Sequence, residues 1–445
     1  MALTGLEIYK QLPKKNCGEC GPPTCLAFAM SLAGGKASLD SCPYVSDEAR
    51  AMLESAAAPP IAKVVFGAGE NSVTMGDETE LFRHDKKFYH ETAISFRVVD
   101  NLSEAEIVER TQKINDLVFV RVGLEYRIQA IAVENVSGDA DKFVAAVTAV
   151  AKNSSLPLVL MSESPEAIAK ALDVEGVAKP LIYAATNDNY EAMAKLAIER
   201  NCPLAVKGAN LDDLASLVEK VVALGKKDLV VDPGARSLSR AIADFTQIRR
   251  LAIKKKFRPF GYPIIAFTAS EDPMEEAAEA SAYISKYASL IVMNTVEKAH
   301  ILPLLSWRQN LYTDPQVPIR VEEKLHEVGN VTADSPVYIT TNFSLTYYSV
   351  EGEVEASKIP SYILAVDTDG LSVLTAYADG KFEADKIAAV MKKCGLEEKV
   401  NHRNIVLPGL VAVLSGKLEE ESGWNVIIGP REASAIPAFA KSQFA

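Results

Sequence analysis

The sequence predicts an α/β protein: a closed (β/α)8 TIM barrel, preceded by a small helical module and followed by a smaller Rossmann-like, doubly wound domain. Three observations lead there. Eight short apolar runs alternate with amphipathic stretches over residues 93–325, the rhythm of βαβ units and a parallel sheet. A separate strand–helix alternation occupies 326–445. Four of the six cysteines fall within the first 42 residues, in a stretch too short for a sheet domain. A chain of 445 residues with 48% hydrophobic content accommodates a barrel of about 250 residues plus smaller modules.

Taken in order, residues 1–58 form the helical module. Thr4 and Glu7 make a T-x-x-E capping box, and Leu3 and Ile8 occupy the positions of a hydrophobic staple. That helix must stop at Pro13. A second helix starts near "PPTC" and ends at Gly34-Gly35. Residues 59–92 are expected to be a linker, introduced by the semi-rigid "AAAPPIAK". The barrel strands are "AISFRVV", "IQAIAVE", "LPLVLMS", "KPLIYAAT", "CPLAVKG", "DLVVDPG", "YPIIAFT" and "LIVMNT". In 326–445 the strands are "PVYITT", "YILAVDT", "NIVLPGLVAVL" and "WNVIIG", with helices at "EADKIAAVMKKCG" and after "GPREAS". "LSVLTAYADG" suits strand and helix equally.

The formal net charge of −12 argues against nucleic acid or an anionic membrane as principal partner. No run of about 18 apolar residues exists to span a bilayer. "MALTGLEIYKQL" lacks the basic and apolar regions of a secretory leader, so a cytoplasmic, reducing location is expected.

In such a compartment clustered cysteines are metal ligands or redox groups rather than disulfides. The spacing is Cys17-x2-Cys20-x4-Cys25-x16-Cys42, with Pro43 after the last. Three close thiolates and one distant one suit the cage of a [4Fe–4S] cluster. Gly18, Gly21, Pro22 and Pro23 bend the backbone around it and leave N–H groups for the sulfurs. The competing zinc reading expects two CxxC knuckles, and only one is present. Cys202 and Cys394 are isolated and fill core space.

Other features have ordinary explanations. "RRLAIKKKFR" (249–258) is expected to be a solvated helix face, with anion binding as the alternative. His84 and His90 suit surface or barrel-capping roles, and His402 a loop. Asp232 follows a barrel strand, where barrel enzymes place catalytic groups, but no paired acid and base stands beside it in sequence.

Long segments carry a resemblance. "LTGLEIYKQLPKKNCGECGPPTCLAFAM", "MGDETELFRHDKKFYHETAI", "DPGARSLSRAIADFTQIRRLAIKKKFR", "LLSWRQNLYTDPQVPIRVEEKL", "TTNFSLTYYSVEGEVE" and "IIGPREASAIPAFA" resemble the large (gamma) subunits of corrinoid/iron–sulfur proteins of the anaerobic acetyl-CoA (Wood–Ljungdahl) pathway. The resemblance spans nearly the whole chain and does not depart at the four cysteines. It implies a [4Fe–4S] domain, a TIM barrel and a Rossmann-like corrinoid-binding domain. It also implies a base-off cobamide held between that last domain and a small subunit in a heterodimer. Open α/β sheets bind ligands beyond the carboxyl ends of their strands. Those ends suggest Gly370 for close approach, Leu371 and Val373 as cover, Thr340, Thr346 and Ser372 as hydrogen-bonding groups, and Ala433 as a small contact. The D-x-H-x-x-G motif that supplies a lower cobalt ligand elsewhere is missing.

The implied function is a methyl carrier. Co(I) would accept a methyl group from methyltetrahydrofolate through a separate methyltransferase. The carrier would deliver it to the nickel site of CO dehydrogenase/acetyl-CoA synthase. The cluster, fed by an electron donor such as a ferredoxin, would return one electron to cobalt stranded as Co(II) and so regenerate Co(I). Two alternatives stay open: a pterin-dependent methyltransferase with its own active site in the barrel, and an iron–sulfur electron-transfer scaffold without corrin.

Overall fold

The computed structural model describes residues 5–33, 37, 39–46, 49–50, 53, 59–85, 87–121, 123–314 and 317–444. Thr4, Leu3 and Gly34-Gly35, expected to cap and end the first two helices, lie outside them. The chain gathers into two compact units. One is drawn from residues 1–81, 89–112 and 129–295, the other from 82–88, 113–128 and 296–445.

In the first unit, helices Gly5–Gln11 and Cys25–Ala33 pack together at the amino end. The first stops just ahead of Pro13, whose ring clashes with a continuing helix. Ile8, Leu12, Phe28 and Ala29 form a small core that also holds the Cys25 and Cys42 side chains.

The barrel follows. All eight strands are parallel and each pairs with its sequence neighbours: Ala93–Val99, Ala130–Glu134, Leu158–Met161, Leu181–Ala185, Leu204–Lys207, Leu229–Asp232, Ile264–Phe267 and Ala288–Met293. Closure comes from the eighth strand pairing with the first, Ile291 opposite Ile94. Seven strands fall inside their apolar runs, and the eighth, Ala288–Met293, begins two residues ahead of "LIVMNT". Strands covered on both faces carry such runs because neither side meets water.

The stretch 59–92, expected to be a linker, contains a two-stranded antiparallel hairpin, Val64–Phe66 with Val73–Met75. Its Val64, Phe66, Val73 and Met75 join the barrel's interior core. Gly67 N–H donates to Lys179 O, ahead of the fourth strand, so the hairpin lies at the amino-terminal end of the barrel. Burying Phe66 and Met75 contributes roughly 1.5–3 kcal/mol each. Barrel helices start at side-chain caps: Asp139 for Ala140–Asn153, Asn210 for Leu211–Ala223, Asp272 for Pro273–Ser285.

The second unit holds a five-stranded sheet. Its order is Leu325–Val328, Ser361–Val366, Val337–Thr341, Asn404–Leu407, Asn425–Ile428. The four inner and far strands run parallel, and Leu325–Val328 is an antiparallel edge. The four expected strands are present. "NIVLPGLVAVL" is strand only to Leu407, because Pro408 ends the ladder and a 3-10 segment, Gly409–Leu414, follows. "LSVLTAYADG" resolves as a short helix, Val373–Ala378. Helices Ser344–Ser357 and Ile436–Phe444 cover one face, while Ala384–Lys393 and Ser415–Ser422 cover the other. No helix among the described residues is long and apolar enough to cross a membrane.

Candidate functional site

The cysteine loop is closed from within. The Asn16 side-chain carbonyl accepts the Cys25 backbone N–H at 2.8 Å, and the Asn16 N–H approaches Cys25 Sγ at 3.4 Å. Gly21 N–H donates to Gly18 O at 3.0 Å. Both glycines have left-handed φ, +75° and +99°, and a Cβ at either would meet nothing within 4 Å. The loop therefore leaves room around Cys17 and Cys20. All four thiols are free: Cys25 and Cys42 buried, Cys20 half-buried and Cys17 exposed.

Burial, followed by the neighbouring Cys42, Cys17 and Cys25, pushes the Cys20 thiol up. The four sulfurs therefore share one electrostatic neighbourhood, where several thiolates repel unless a cation lies among them. Among the described residues no three His, Cys, Asp or Glu groups stand close enough together to grip one metal ion. The donor set itself, four sulfurs on a glycine-bent loop, fits a thiolate-held cluster.

In the second unit a cavity of about 380 Å³ opens at the carboxyl ends of the sheet strands. It lies between the sheet and helices Ser344–Ser357 and Ile436–Phe444. Of the seven residues expected there, Thr340, Thr346, Val373 and Ala433 line it. Gly370, Leu371 and Ser372 do not. Gly370 has φ +72°, and a Cβ there would come within 2.9 Å of Pro318 Cβ, so its glycine is required by the turn. Ser372 caps the helix Val373–Ala378, its hydroxyl 3.0 Å from Thr375 Oγ1. Leu371 packs against the core on the sheet's other face, under Ala384–Lys393 and Ser415–Ser422.

The cavity holds two buried hydroxyls without any hydrogen-bond partner, Tyr338 Oη and Thr340 Oγ1. Burial pushes the Tyr338 phenol up to about 12, so it stays protonated and able to donate. Unsatisfied buried hydroxyls are rare and costly, about 1–3 kcal/mol each. The remaining lining is largely apolar, with Ile339, Leu345, Val350, Val406, Leu407 and Ile436. A ligand with an apolar body and polar side arms fits this donor pattern.

Sequence reasoning missed Tyr338. Its signal is a polar pair at i and i+2, Tyr338 and Thr340, which alternation puts on one face of a strand that is otherwise apolar. It also missed Asn342. That side chain accepts the N–H groups of Thr368 (3.0 Å) and Gly370 (3.1 Å) and donates to Asp367 Oδ1 (2.8 Å), fixing the loop after the next strand. Arg320 and Lys381 brace the same loop through Asp369, at 3.0 and 3.1 Å.

The barrel mouth carries a second cavity of about 600 Å³, lined by Arg97, Glu134, Tyr183, Lys207, Arg236 and Phe267 among others. Here the charges are paired within the chain: Arg97 with Glu134, and Lys207 with Glu163 at 2.8 Å. Asp232 is buried and accepts from Tyr183 Oη (2.6 Å), Arg236 (2.8 Å) and Gly234 N–H (2.8 Å). Burial and the adjacent Asp232 carboxylate push the Tyr183 phenol well up. Burial opposes the Arg236 charge, but its bonds to Asp232 outweigh that and hold it protonated.

The remaining singled-out residues have structural settings. His402 lies ahead of the strand Asn404–Leu407. Its Nε2 is 3.0 Å from Ser335 O and its Nδ1 accepts the Asn404 N–H, so both ring nitrogens are engaged at the amino end of the sheet. His84 is exposed beside Asp85, and the His90 N–H donates to Glu78. The run 249–258 is not uniformly solvated. Arg249 is buried and pairs with the buried Glu78 at 3.1 Å, a partner 171 residues away that the charge pattern could not reveal.

The profile of the CO dehydrogenase/acetyl-CoA synthase delta subunit family matches residues 63–440, and an Fe-S cluster profile matches residues 12–44. The corrinoid/iron-sulfur protein large subunit of Moorella thermoacetica is 68% identical over 445 residues, with both chains fully covered. The acetyl-CoA decarbonylase/synthase complex subunit gamma of Methanothermobacter thermautotrophicus is 37% identical, covering 99% of this chain and 98% of its own. Its counterpart in Methanosarcina acetivorans is 38% identical over the same shares.

Proposed function

This chain belongs to the family of corrinoid/iron–sulfur protein large subunits and acetyl-CoA decarbonylase/synthase gamma subunits, and on that premise we propose that it is a methyl carrier working with a small subunit. The 93–325 barrel is its scaffold, the 326–445 domain its Rossmann-like corrinoid-binding part, and the 1–58 module its [4Fe–4S] part. When bound, the base-off cobamide supplies a nucleophilic cobalt for methyl transfer, and the cluster supplies single electrons at low potential.

The chain's own residues do four things. Cys17, Cys20, Cys25 and Cys42 hold the cluster. Tyr338 and Thr340 donate or accept hydrogen bonds at the amide arms of the corrinoid, with Thr346 beside them. Val373 and Ala433 present apolar, close-fitting surface that keeps water away. Asn342, Gly370, Leu371 and Ser372 shape the loop that borders the cavity. No histidine is among the residues that line that cavity. The partners this reading requires are a methyltetrahydrofolate methyltransferase, CO dehydrogenase/acetyl-CoA synthase and a low-potential electron donor.

The observation that carries the reading is the pair of orphaned hydroxyls in an apolar cavity at the carboxyl ends of parallel strands. Anaerobic purification followed by metal assay tests it. The expected result is about four iron atoms and one cobalt per chain, with corrinoid absorption bands. Cobalt-free protein, or zinc in place of iron, refutes it.

A further inference from the structure

Lysines lead into the cysteine loop, whose one acid, Glu19, is engaged by the Tyr44 hydroxyl, although the chain as a whole carries a formal net charge of −12. Between Glu7 and Glu19 there are three lysines, Lys10, Lys14 and Lys15, and no acid. Lys14 and Lys15 lead directly into the loop and both are exposed. Their ammonium groups are steadied by aromatic faces: Lys15 Nζ lies 3.7 Å from the Tyr44 ring centroid and Lys14 Nζ lies 5.7 Å from that of Tyr9. Among the described residues Arg50 pairs with Asp40, and neither lysine takes part in an ion pair. Their charge is therefore available to a partner.

The same edge is where the cysteine site comes nearest to solvent. Cys17 is exposed, whereas Cys25 and Cys42 are buried. Tyr44, the residue Lys15 covers, is exposed as well, and its hydroxyl donates to Glu19 at 2.8 Å. A donor must approach within short range of a cluster to pass an electron, and here it would approach over Cys17, between Lys14 and Lys15. Desolvating unpaired ammonium groups is unfavourable unless carboxylates meet them.

We propose that the Cys17 edge, framed by Lys14, Lys15 and Tyr44, is the docking surface for an acidic electron-transfer protein. The proposal rests on the carrier reading above, which requires a cluster on these cysteines. One electron leaves the reduced donor and enters the oxidised cluster; no proton or group moves with it.

Stopped-flow binding and reduction with a small acidic ferredoxin, on the full-length chain in its heterodimer with cluster loaded, tests this. In the wild type, association is fast at low ionic strength and falls steeply with salt. Lys14→Glu/Lys15→Glu lowers the association rate roughly ten- to a hundredfold and flattens the salt dependence. Lys14→Gln/Lys15→Gln gives an intermediate loss, and Lys14→Arg/Lys15→Arg keeps the wild-type rate. All variants retain their iron, and dithionite reduces their clusters at the wild-type rate. Equal association for the Glu variant overturns the docking surface and leaves the carrier reading standing. Wild-type protein without iron, or with a cluster that dithionite cannot reduce, overturns the carrier reading itself.

Discussion

The barrel mouth and the mouth of the C-terminal sheet occupy the same place on their strands, the carboxyl end, yet they handle buried polar groups in opposite ways. In the barrel every buried group at the mouth described above has a partner in the chain. Asp232 is met by Tyr183, Arg236 and Gly234, and Glu276 accepts from Thr268 and from the Asn294 and Thr295 N–H groups. In the sheet, Tyr338 and Thr340 are left without one. A mouth that satisfies itself needs no ligand to be complete. A mouth that buries orphaned hydroxyls in apolar surroundings is finished by a molecule from outside. The contrast supports the proposal that the smaller cavity is the corrinoid's.

That contrast breaks most visibly at Asp232. Asp232→Ala removes the acceptor shared by the buried Tyr183 phenol and the exposed Arg236 guanidinium, and leaves the phenol without its carboxylate partner. The expected loss is about 1–3 kcal/mol of stability, read as a drop in the urea midpoint of the barrel's transition. An unchanged midpoint would mean that the barrel mouth is not held by its own pairs, and the distinction between the two mouths would fail.

A smaller and more specific effect is expected at Thr340. Thr340→Val keeps the shape and deletes the orphaned hydroxyl. In the ligand-free chain the substitution should be neutral or stabilising by about 1 kcal/mol. Corrinoid affinity should weaken roughly fivefold, the factor that one net hydrogen bond of about 1 kcal/mol supplies. Urea denaturation of the ligand-free variant and corrinoid titration separate the two readouts. Destabilisation of the ligand-free chain would show that the hydroxyl already serves the fold.

The weakest effect concerns pH. Burial holds the His326 imidazole below its ordinary value of 6.5, with the Glu322 carbonyl at 3.0 Å and the Tyr347 ring against it. Charged Lys324 adds to the lowering, while Glu351 and Glu322 oppose it. Because the folded-state pKa is depressed, the unfolded chain takes up the proton first as pH falls below 6.5. The sheet unit should therefore lose stability on acidification through that range. His326→Phe should flatten this dependence in thermal denaturation between pH 7 and 5. An identical pH slope in both proteins would assign the effect to other groups.

These expectations also mark what the sequence made legible. The barrel strands were plain because strands shielded on both faces carry unbroken apolar runs, as in "IQAIAVE" and "LPLVLMS". The edge strand Leu325–Val328 was not, since "LHEV" is half-exposed and too short to alternate. The hairpin at 64–75 escaped notice because three-residue strands carry no period. Thr340, Thr346, Val373 and Ala433 could be placed at one cavity because they sit at or beyond the carboxyl ends of strands. Gly370 was legible as a special backbone position, but not its neighbour Pro318, which comes from a distant segment. Arg249 shows the same limit: a charged residue in a basic run gives no sign that Glu78 will bury it.

Cobalt retention tests most directly whether the sheet mouth, rather than the barrel mouth, holds the proposed corrinoid. The heterodimer would be loaded with cobamide, exhaustively dialysed under anaerobic conditions and assayed for cobalt and iron. The variants are Ala433→Trp, which fills the sheet cavity, and Tyr183→Phe, which alters the barrel mouth. The prediction is that Ala433→Trp loses its cobalt, Tyr183→Phe keeps it, and both retain iron. Cobalt kept by Ala433→Trp and lost by Tyr183→Phe would contradict the assignment outright.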